Sequence, residues 1–434
     1  MSRPRRLPLG AENPYRNQVL DHVYGGRFSV FHAMRPKTIV SGGALAYLAG
    51  FTTAFGAHGV AAALGVETDS IGLTFVTLGL ILAIYDIAEV ILKPLFGALS
   101  DRIGVKPVIV GGLLVFSAAS LLGVFAASPV LLAVARLGQG AAAAAFSPAS
   151  SSAVARLVGP AATGRYFGKY GSWKGLGYAA GPLLGAGLIV LAGLPALFLA
   201  LTVLAAAAAV WTLVAMQTIP VLTKQRATVL ELVKQSTSPV FLGPVLFLAV
   251  ATAVMGVAVG FLPLIGTQLG IDPILSMGAI SVMAIVSAIV QPRIGRLHDT
   301  APRHATTLMM TGSVLLVMAV AAVAVLPSII TLLASAILVG LGVGMITPLG
   351  FARLASTTPP ERMGRTMGSA ELGREIGDAG GPILVGLIAG TATLPIALGA
   401  MAATAAITAA TGGALTARSN PSHLADGRLN SPRS

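Results

Sequence analysis

The sequence predicts an all-α membrane protein: twelve transmembrane helices in two pseudo-symmetric six-helix bundles. Three observations predict it. The mean hydropathy is +0.86 and only 10% of residues are charged, where a soluble domain carries about 25%, so most of the chain belongs in lipid. The stretch from Gly164 to Leu188, GRYFGKYGSWKGLGYAAGPLLGAGL, recurs as GRTMGSAELGREIGDAGGPILVGLI from Gly364 to Ile388, at an offset of 200. Basic residues sit in alternate loops between apolar runs, the charge bias that orients membrane helices.

The repeat is dense in informative residues. At that offset Gly164-Arg165 falls on Gly364-Arg365, Gly168 on Gly368, Lys174 on Arg374, Gly177 on Gly377, and Gly181-Pro182 on Gly381-Pro382. Chance does not readily align so many glycines and prolines without a gap, so the chain reads as a duplication of one membrane unit. Gly177, Gly181 and Gly185 recur every fourth residue and so share one side of a helix.

A span needs about 20 apolar residues. In the first half the spans are expected at 38–64, 71–99, 107–127, 129–155, 165–191 and 194–216. In the second they are expected at 241–266, 272–298, 304–326, 329–354, 364–390 and 393–415. The organisation is then a tail (1–37), a six-helix bundle (38–216), a polar linker (217–240), a second bundle (241–416) and a second tail (417–434). Part of the first tail, with Val19, Leu20, Val23, Tyr24, Phe28 and Phe31, is suited to the membrane surface. No apolar core with a cleavage site follows Arg6, which speaks against a secretory signal. Six alternate loops (GVETDS, ASP, AGLP, GTQLGID, LPS and AGTATLP) hold no Lys or Arg. Both termini are therefore expected in the cytoplasm, with the protein in the cytoplasmic membrane.

Composition excludes much else. There is no cysteine, hence no disulfide, thiolate catalysis or cysteine-ligated metal. Six scattered histidines offer no ligand spacing, and no GxxxxGK[ST] loop points to ATP. The net charge of +13 does not imply nucleic acid, because its basic residues are distributed among alternate loops. No metal, cofactor or enzymatic activity is expected.

Charge within the spans is patterned. The third, sixth, ninth and twelfth have essentially none and are free to face lipid. A charge at mid-bilayer costs roughly 2.5–3.5 kcal/mol on insertion scales, so charged spans must face protein or a wet cavity. In the eleventh, Glu371, Arg374, Glu375 and Asp378 follow i, i+3, i+4, i+7 spacing and project from one face, with Gly373, Gly377 and Gly381 on another. They suit either a cavity-lining proton relay or an ordered core in which Arg374 neutralises two acids; buried ion pairs often give little net stability, which favours the relay. In the second span Glu89 and Lys93 form a favourable i,i+4 pair with a structural role, Glu89 being also a cavity candidate. Asp86 lies 15 residues before Asp101, roughly 22 Å of helix, with no evident local cation, and suits reversible protonation. Arg136 is a single deep cation in the fourth span, with Asp86, Glu89 or an acid elsewhere as expected partner. Lys174 is the deeper of two cations in the fifth span and a substrate-cavity candidate with Arg374. Trp173 is suited to stacking on a ligand or to packing. His58 reads as a satisfied polar residue rather than a proton site.

At the end of the second span the chain reads GALSDRIGVKPV, from Gly97 to Val108, and the second half has GRLHDTAPRH, in which Gly295, Leu297 and Asp299 match at an offset of 198. With RLGQG at Arg136 to Gly140, these resemble the signatures of the major facilitator superfamily over about residues 38–416. GYAAGPLLGAG resembles the glycine-proline signature of that family's proton-driven drug exporters. The resemblance implies a role for Arg136 in proton coupling. It implies conformational gating by Gly97, Asp101, Arg102 and Asp299 and by the Gly177, Gly181, Pro182 and Gly377, Gly381, Pro382 sets. It also implies that Asp101 meets the amino end of the eleventh helix near Gly364, a contact expected to favour the state closed on the side opposite the cytoplasm. The expected function is export of a small organic compound by proton antiport through alternating access, as a monomer whose partners are substrate, protons and lipid, with proton-coupling candidates Asp86, Glu371, Glu375, Asp378 and Arg136. Metabolite uptake by symport or facilitation is the alternative on the same fold, and a transport-inactive receptor or scaffold the alternative of another class.

Overall fold

The computed structural model describes residues 36–66, 75–158, 162–219, 221, 237–271 and 273–418. The amphipathic segment of the first tail, nearly all of the polar linker and the end of the chain lie outside them. Twelve long helices account for almost everything described. In the first half these are α1 (Pro36–Val66), α2 (Phe75–Ile103), α3 (Val105–Val124) and α4 (Pro129–Val158), then a helical run Thr163–Ala215. That run leaves helical geometry at Ala192 and Gly193, so it is two helices, α5 before the break and α6 after it. The second half holds α7 (Pro239–Gln268), α8 (Pro273–Thr300), α9 (Ala305–Val325), α10 (Ile329–Thr357), α11 (Met363–Thr391) and α12 (Leu394–Arg418).

Two glycines make the tightest breaks. Gly193 has φ 73 and reverses the chain between α5 and α6, and Gly104 has φ 97 between α2 and α3. A side chain is strained in that left-handed region, and glycine is not. Gly104 belongs to the GALSDRIGVKPV motif, so part of the motif's glycine content follows from this turn alone.

Among the described residues, eight helices are long and apolar enough to cross a membrane by composition: α3, α4, α6, α7, α8, α9, α10 and α12. Of the other four, α2, α5 and α11 hold the deep charges. The charge-free helices carry large apolar side chains on their outer faces, among them Leu114 and Val115 on α3, Val203 and Val214 on α6, Met318 on α9 and Ile407 on α12. Such faces are stable only against lipid.

Buried apolar side chains form two clusters. One is drawn entirely from residues between Leu45 and Ile219. The other is centred on the second half and takes in Tyr47, Phe167 and Tyr170 from the first. The halves meet along two seams, α2 against α11 and α5 against α8, with α4 touching α11 and α10 touching α5. Because α8 and α11 are the repeat partners of α2 and α5, the seams are related by the pseudo-twofold.

Glycine permits these approaches. On α5, Gly177 and Gly181 face the α1 backbone at Phe51, Phe55 and Gly59, and on α11, Gly377 and Gly381 face the α7 backbone at Ala249 and Ala253. These stripes therefore close each half on itself. Between the halves the contact is made by Gly97 with Gly364 and Gly368, and by Gly164 with Gly295. Inside the first half, a β-carbon at Gly140 would collide with the Tyr85 backbone, whereas at Gly380 it would meet nothing within 4 Å. Gly140→Ala is expected to destabilise the protein by about 1–3 kcal/mol, seen as a lower unfolding midpoint in detergent, and Gly380→Ala to leave the midpoint unchanged or higher.

Candidate functional site

The face of α11 that carries Glu371, Arg374 and Glu375 is turned into the middle of the bundle, where a lysine from the other half meets it. Lys93 on α2 is fully buried. Its Nζ lies 2.7 Å from Glu89 Oε1, 2.6 Å from Glu375 Oε1 and 3.9 Å from Glu371 Oε2. Glu371, also fully buried, collects two further cations on the same oxygen, Lys174 Nζ at 3.3 Å and Arg374 Nη1 at 3.0 Å. Its other oxygen accepts a hydrogen bond from Ser151 Oγ at 3.3 Å. The network thus sets three cations against three carboxylates, with α2 and α5 of one half tied to α11 of the other. Balanced charge is what a low-dielectric interior demands, since an unpaired buried ion is far more costly than a paired one.

Two cavities flank the network. A large one of about 810 Å³ is lined mostly by apolar side chains, including Phe167, Met255, Met283 and Phe351, with Lys174, Glu371 and Arg374 at its polar end. A smaller one of about 180 Å³ is lined by Asp86, Glu375 and Asp378 with Val90 and Gly256. His58, Met255 and Val259 line both, and His58 packs edge-on against Tyr178 with ring centroids 4.4 Å apart. Among the described residues neither Asp86 nor Asp378 forms an ion pair.

At the end of the bundle where α1 begins and α12 ends, the two seams are closed by matching clamps. Asp101 accepts the backbone N–H groups of Gly364 (2.8 Å) and Arg365 (2.9 Å) at the start of α11. Asp299 accepts those of Gly164 (2.8 Å) and Arg165 (3.0 Å) at the start of α5. Unsatisfied N–H groups and the positive end of the helix dipole make each helix start a carboxylate site. Arg102 projects from the exposed end of α2.

The clamps correct one expectation. A contact shuts the end at which it forms, so Asp101 holds closed the end where α1 begins and α12 ends, not the opposite one. The large cavity agrees, extending along α5 from Phe167 to Leu183 and along α7 from Met255 to Pro263, away from the clamped end.

Other candidates are placed differently from expectation. Arg136 meets no acid among the described residues. Its guanidinium lies 4.2 Å from the centroid of the Tyr85 ring and its Nη1 donates to Gln139 Oε1 at 3.1 Å. The close passage of α2 over Gly140 puts the Tyr85 ring there, and Asp86, one residue on, turns toward the small cavity. Glu89 is buried on Lys93 and lines neither cavity, and Trp173 lines neither; it is exposed and packs against Phe51 at 6.3 Å. Among the described residues Arg374 bridges one acid, not two: its salt bridge is to Glu371, and Glu375 is bridged by Lys93. Lys93 is the residue that the sequence reading undervalued. Its i,i+4 spacing from Glu89 already accounted for its charge, and nothing local revealed the partners on α11.

A twelve-helix membrane protein with two repeat-related halves, a deep ion network at their junction and a cavity sealed at one end has the form of a transporter. The chain belongs to the Major Facilitator Superfamily, which residues 46–382 match. It is similar to the multidrug resistance protein B homolog of Mycobacterium tuberculosis, 39% identical over 87 residues that make up 20% of this chain and 16% of that one. It is also similar to the class G tetracycline resistance protein of Vibrio anguillarum, 36% identical over 109 residues, 25% of this chain and 27% of the relative. The matched stretches thus span under a third of those relatives. Among solved structures, the human organic anion transporter MFSD10 aligns with TM-score 0.70 and 19% identity, over 87% of this chain and 100% of that one. The proton:xylose symporter XylE aligns with TM-score 0.72 and 11% identity, over 88% and 97%. At these identities the likeness is one of fold.

Removing one partner of a buried ion pair is expected to destabilise by about 3–5 kcal/mol. Lys93→Met should therefore lower the denaturation midpoint markedly, and Lys93→Met combined with Glu375→Gln should recover much of the loss. A double variant no more stable than the summed single effects would show the two residues to be uncoupled.

Proposed function

We propose that the protein is a secondary active transporter of the cytoplasmic membrane that exports a small organic compound in exchange for protons, by alternating access between its halves. The observation that carries this reading is the pair of carboxylates left over once the ion network is balanced. Asp86 and Asp378 line the small cavity with no ion partner among the described residues. A carboxylate at this depth with no counter-ion is suited to binding and releasing a proton. Glu371 and Glu375, occupied by cations, act instead as the lock between the halves, and Arg136 is a fixed cation behind Asp86.

In this reading the clamped end faces the cytoplasm, so the large cavity is accessible from outside. Protons load Asp86 and Asp378 from there. Opening the cytoplasmic end requires the bonds of Asp101 and Asp299 to part together with the bridges from Lys93 and Lys174 to α11. The organic compound then loads, proton release proceeds to the cytoplasm, and the cycle returns. The relatives' names, multidrug and tetracycline resistance, support a drug-like cargo.

Everted membrane vesicles with a preformed acidic interior, followed with a pH-sensitive acridine dye, test the reading with tetracycline as the probe. Tetracycline is expected to collapse the gradient in vesicles containing the protein. Asp86→Asn and Asp378→Asn are each expected to slow the collapse at least tenfold. Full activity in both variants removes the two residues from coupling, and an unaffected gradient favours uptake or a transport-inactive protein. The orientation is tested separately: a protease-sensitive tag placed after Ser434 is expected to be cut in everted vesicles and protected in intact cells.

A further inference from the structure

Compared at the repeat offset, the two seams between the halves carry different chemistry. The α2–α11 seam holds Glu89, Lys93, Glu371 and Glu375. The residues 198 positions after Glu89 and Lys93 are Ser287 and Gln291, and those 200 positions before Glu371 and Glu375 are Gly171 and Gly175. On the α5–α8 seam, then, a neutral side chain or none stands at each of these four places, while the cation is kept at Lys174, the match of Arg374.

The consequence is space. Gly171, Gly175, Ser287 and Gln291 all line the large cavity, and none of them lines the small one. Conversely Asp86, Glu375 and Asp378 line the small cavity and not the large one. Gln291 lies so close to Gly171 that no β-carbon fits there, while a β-carbon at Gly175 would find Ala288 Cβ at an ordinary 3.7 Å. A larger side chain at Gly175 would stand between α5 and α8 on the cavity's lining, against Ala284, Ala288 and Gln291.

Two polar residues of this cavity's lining each keep one buried atom without a partner. Arg374 uses Nη1 on Glu371, and its Nε has no hydrogen-bond partner among the described residues. Gln291 donates through Nε2 to Ser287 Oγ at 3.1 Å, and its Oε1 has none. These side chains are 6% and 3% exposed. A buried donor or acceptor without a partner is destabilising; both atoms are shut off from the cavity, so what the seam offers a ligand is its apolar hollow.

We propose that the two seams have diverged in function, α2–α11 handling the proton and α5–α8 holding the organic compound, with Gly175 setting the size of what is admitted. This rests on the transport reading above. The ligand so defined is amphipathic. Its apolar body lies over the glycine-hollowed seam, and its polar end meets the charged part of the lining, Lys174, Glu371 and Arg374.

The chain has no cysteine, so a single introduced thiol reports cleanly. Gly175→Cys and Val90→Cys, the latter on the small cavity, are treated with benzyl methanethiosulfonate in purified full-length protein. Gly175→Cys is expected to react at least tenfold faster. Its benzyl adduct is expected to raise the KM for tetracycline at least tenfold while leaving the pH midpoint of transport where it was, and its methyl adduct to keep KM within twofold. Equal reaction rates, no reaction at Gly175→Cys, or a benzyl adduct with unchanged KM would overturn the assignment. If the parent does not move tetracycline, the transport reading is what has failed, and the two reaction rates alone then decide for or against the open seam. Should Gly175→Cys not fold, Ser281→Cys, which also lines the large cavity, replaces it.

Discussion

The structure depends on charge neutralisation in a place with no water to provide it. Lys93 is the centre of that constraint, an ammonium with no exposed surface and carboxylates of Glu89 and Glu375 within 2.7 Å. Two of its three carboxylate neighbours lie on α11, so its solvation requires the halves to be together at this depth. In water two unit charges at contact gain about 1 kcal/mol, and at lower effective dielectric several times that. The same low dielectric penalises each ion alone, so the network has little tolerance for partial assembly. The placement of α2, α5 and α11 inside the bundle, and of the charge-free helices outside it, follows.

A second layer of contact repeats the logic with weaker parts. Asp101 and Asp299 each accept two backbone N–H groups at a helix start. A hydrogen bond to a charged group is worth about 1.5–3 kcal/mol, and these carboxylates are only partly buried. Glycines at Gly97, Gly364, Gly164 and Gly295 bring the backbones close enough for the clamps to form. Closure at the clamped end therefore has an outer layer that water can readily compete for and an inner one that it cannot. An outer layer of this kind can part first, which admits water to the inner network and lowers the penalty of separating its ions.

Much of this was legible in the sequence. The repeat at offset 200 gave the two halves, the charge-free spans gave the lipid-facing helices, and the family signature placed Asp101 at the start of α11. Each of these rests on periodicity, composition or a local motif. What was not legible required knowing which helix faces which. The i,i+4 spacing of Glu89 and Lys93 is correct and complete on α2, and it concealed that the lysine also serves α11. Arg136 was assigned an acid because deep cations usually have one, and a ring face leaves no trace in spacing. Trp173 and Lys174 are adjacent, yet successive residues on a helix point about 100° apart, which sends one into the cavity and the other out toward Phe51.

Duplication supplies two of everything, and the residues that break the copy are therefore informative. The clamps have been kept in both halves, Asp101 with Gly364 and Asp299 with Gly164, because both seams must close at the same end. The glycine stripes of α5 and α11 have been kept because each half must pack on itself. The midplane has been kept only in part: Lys174 and Arg374 both carry a cation, but Lys93 is matched by Gln291, and Glu371 and Glu375 by Gly171 and Gly175. Two ionic seams would leave no apolar volume at the centre, and two neutral ones would leave nothing at depth to respond to a proton. An ionic seam beside a hollow one provides both within a single bundle, and it does so by changing side chains at a few matched positions while the backbone remains a repeat.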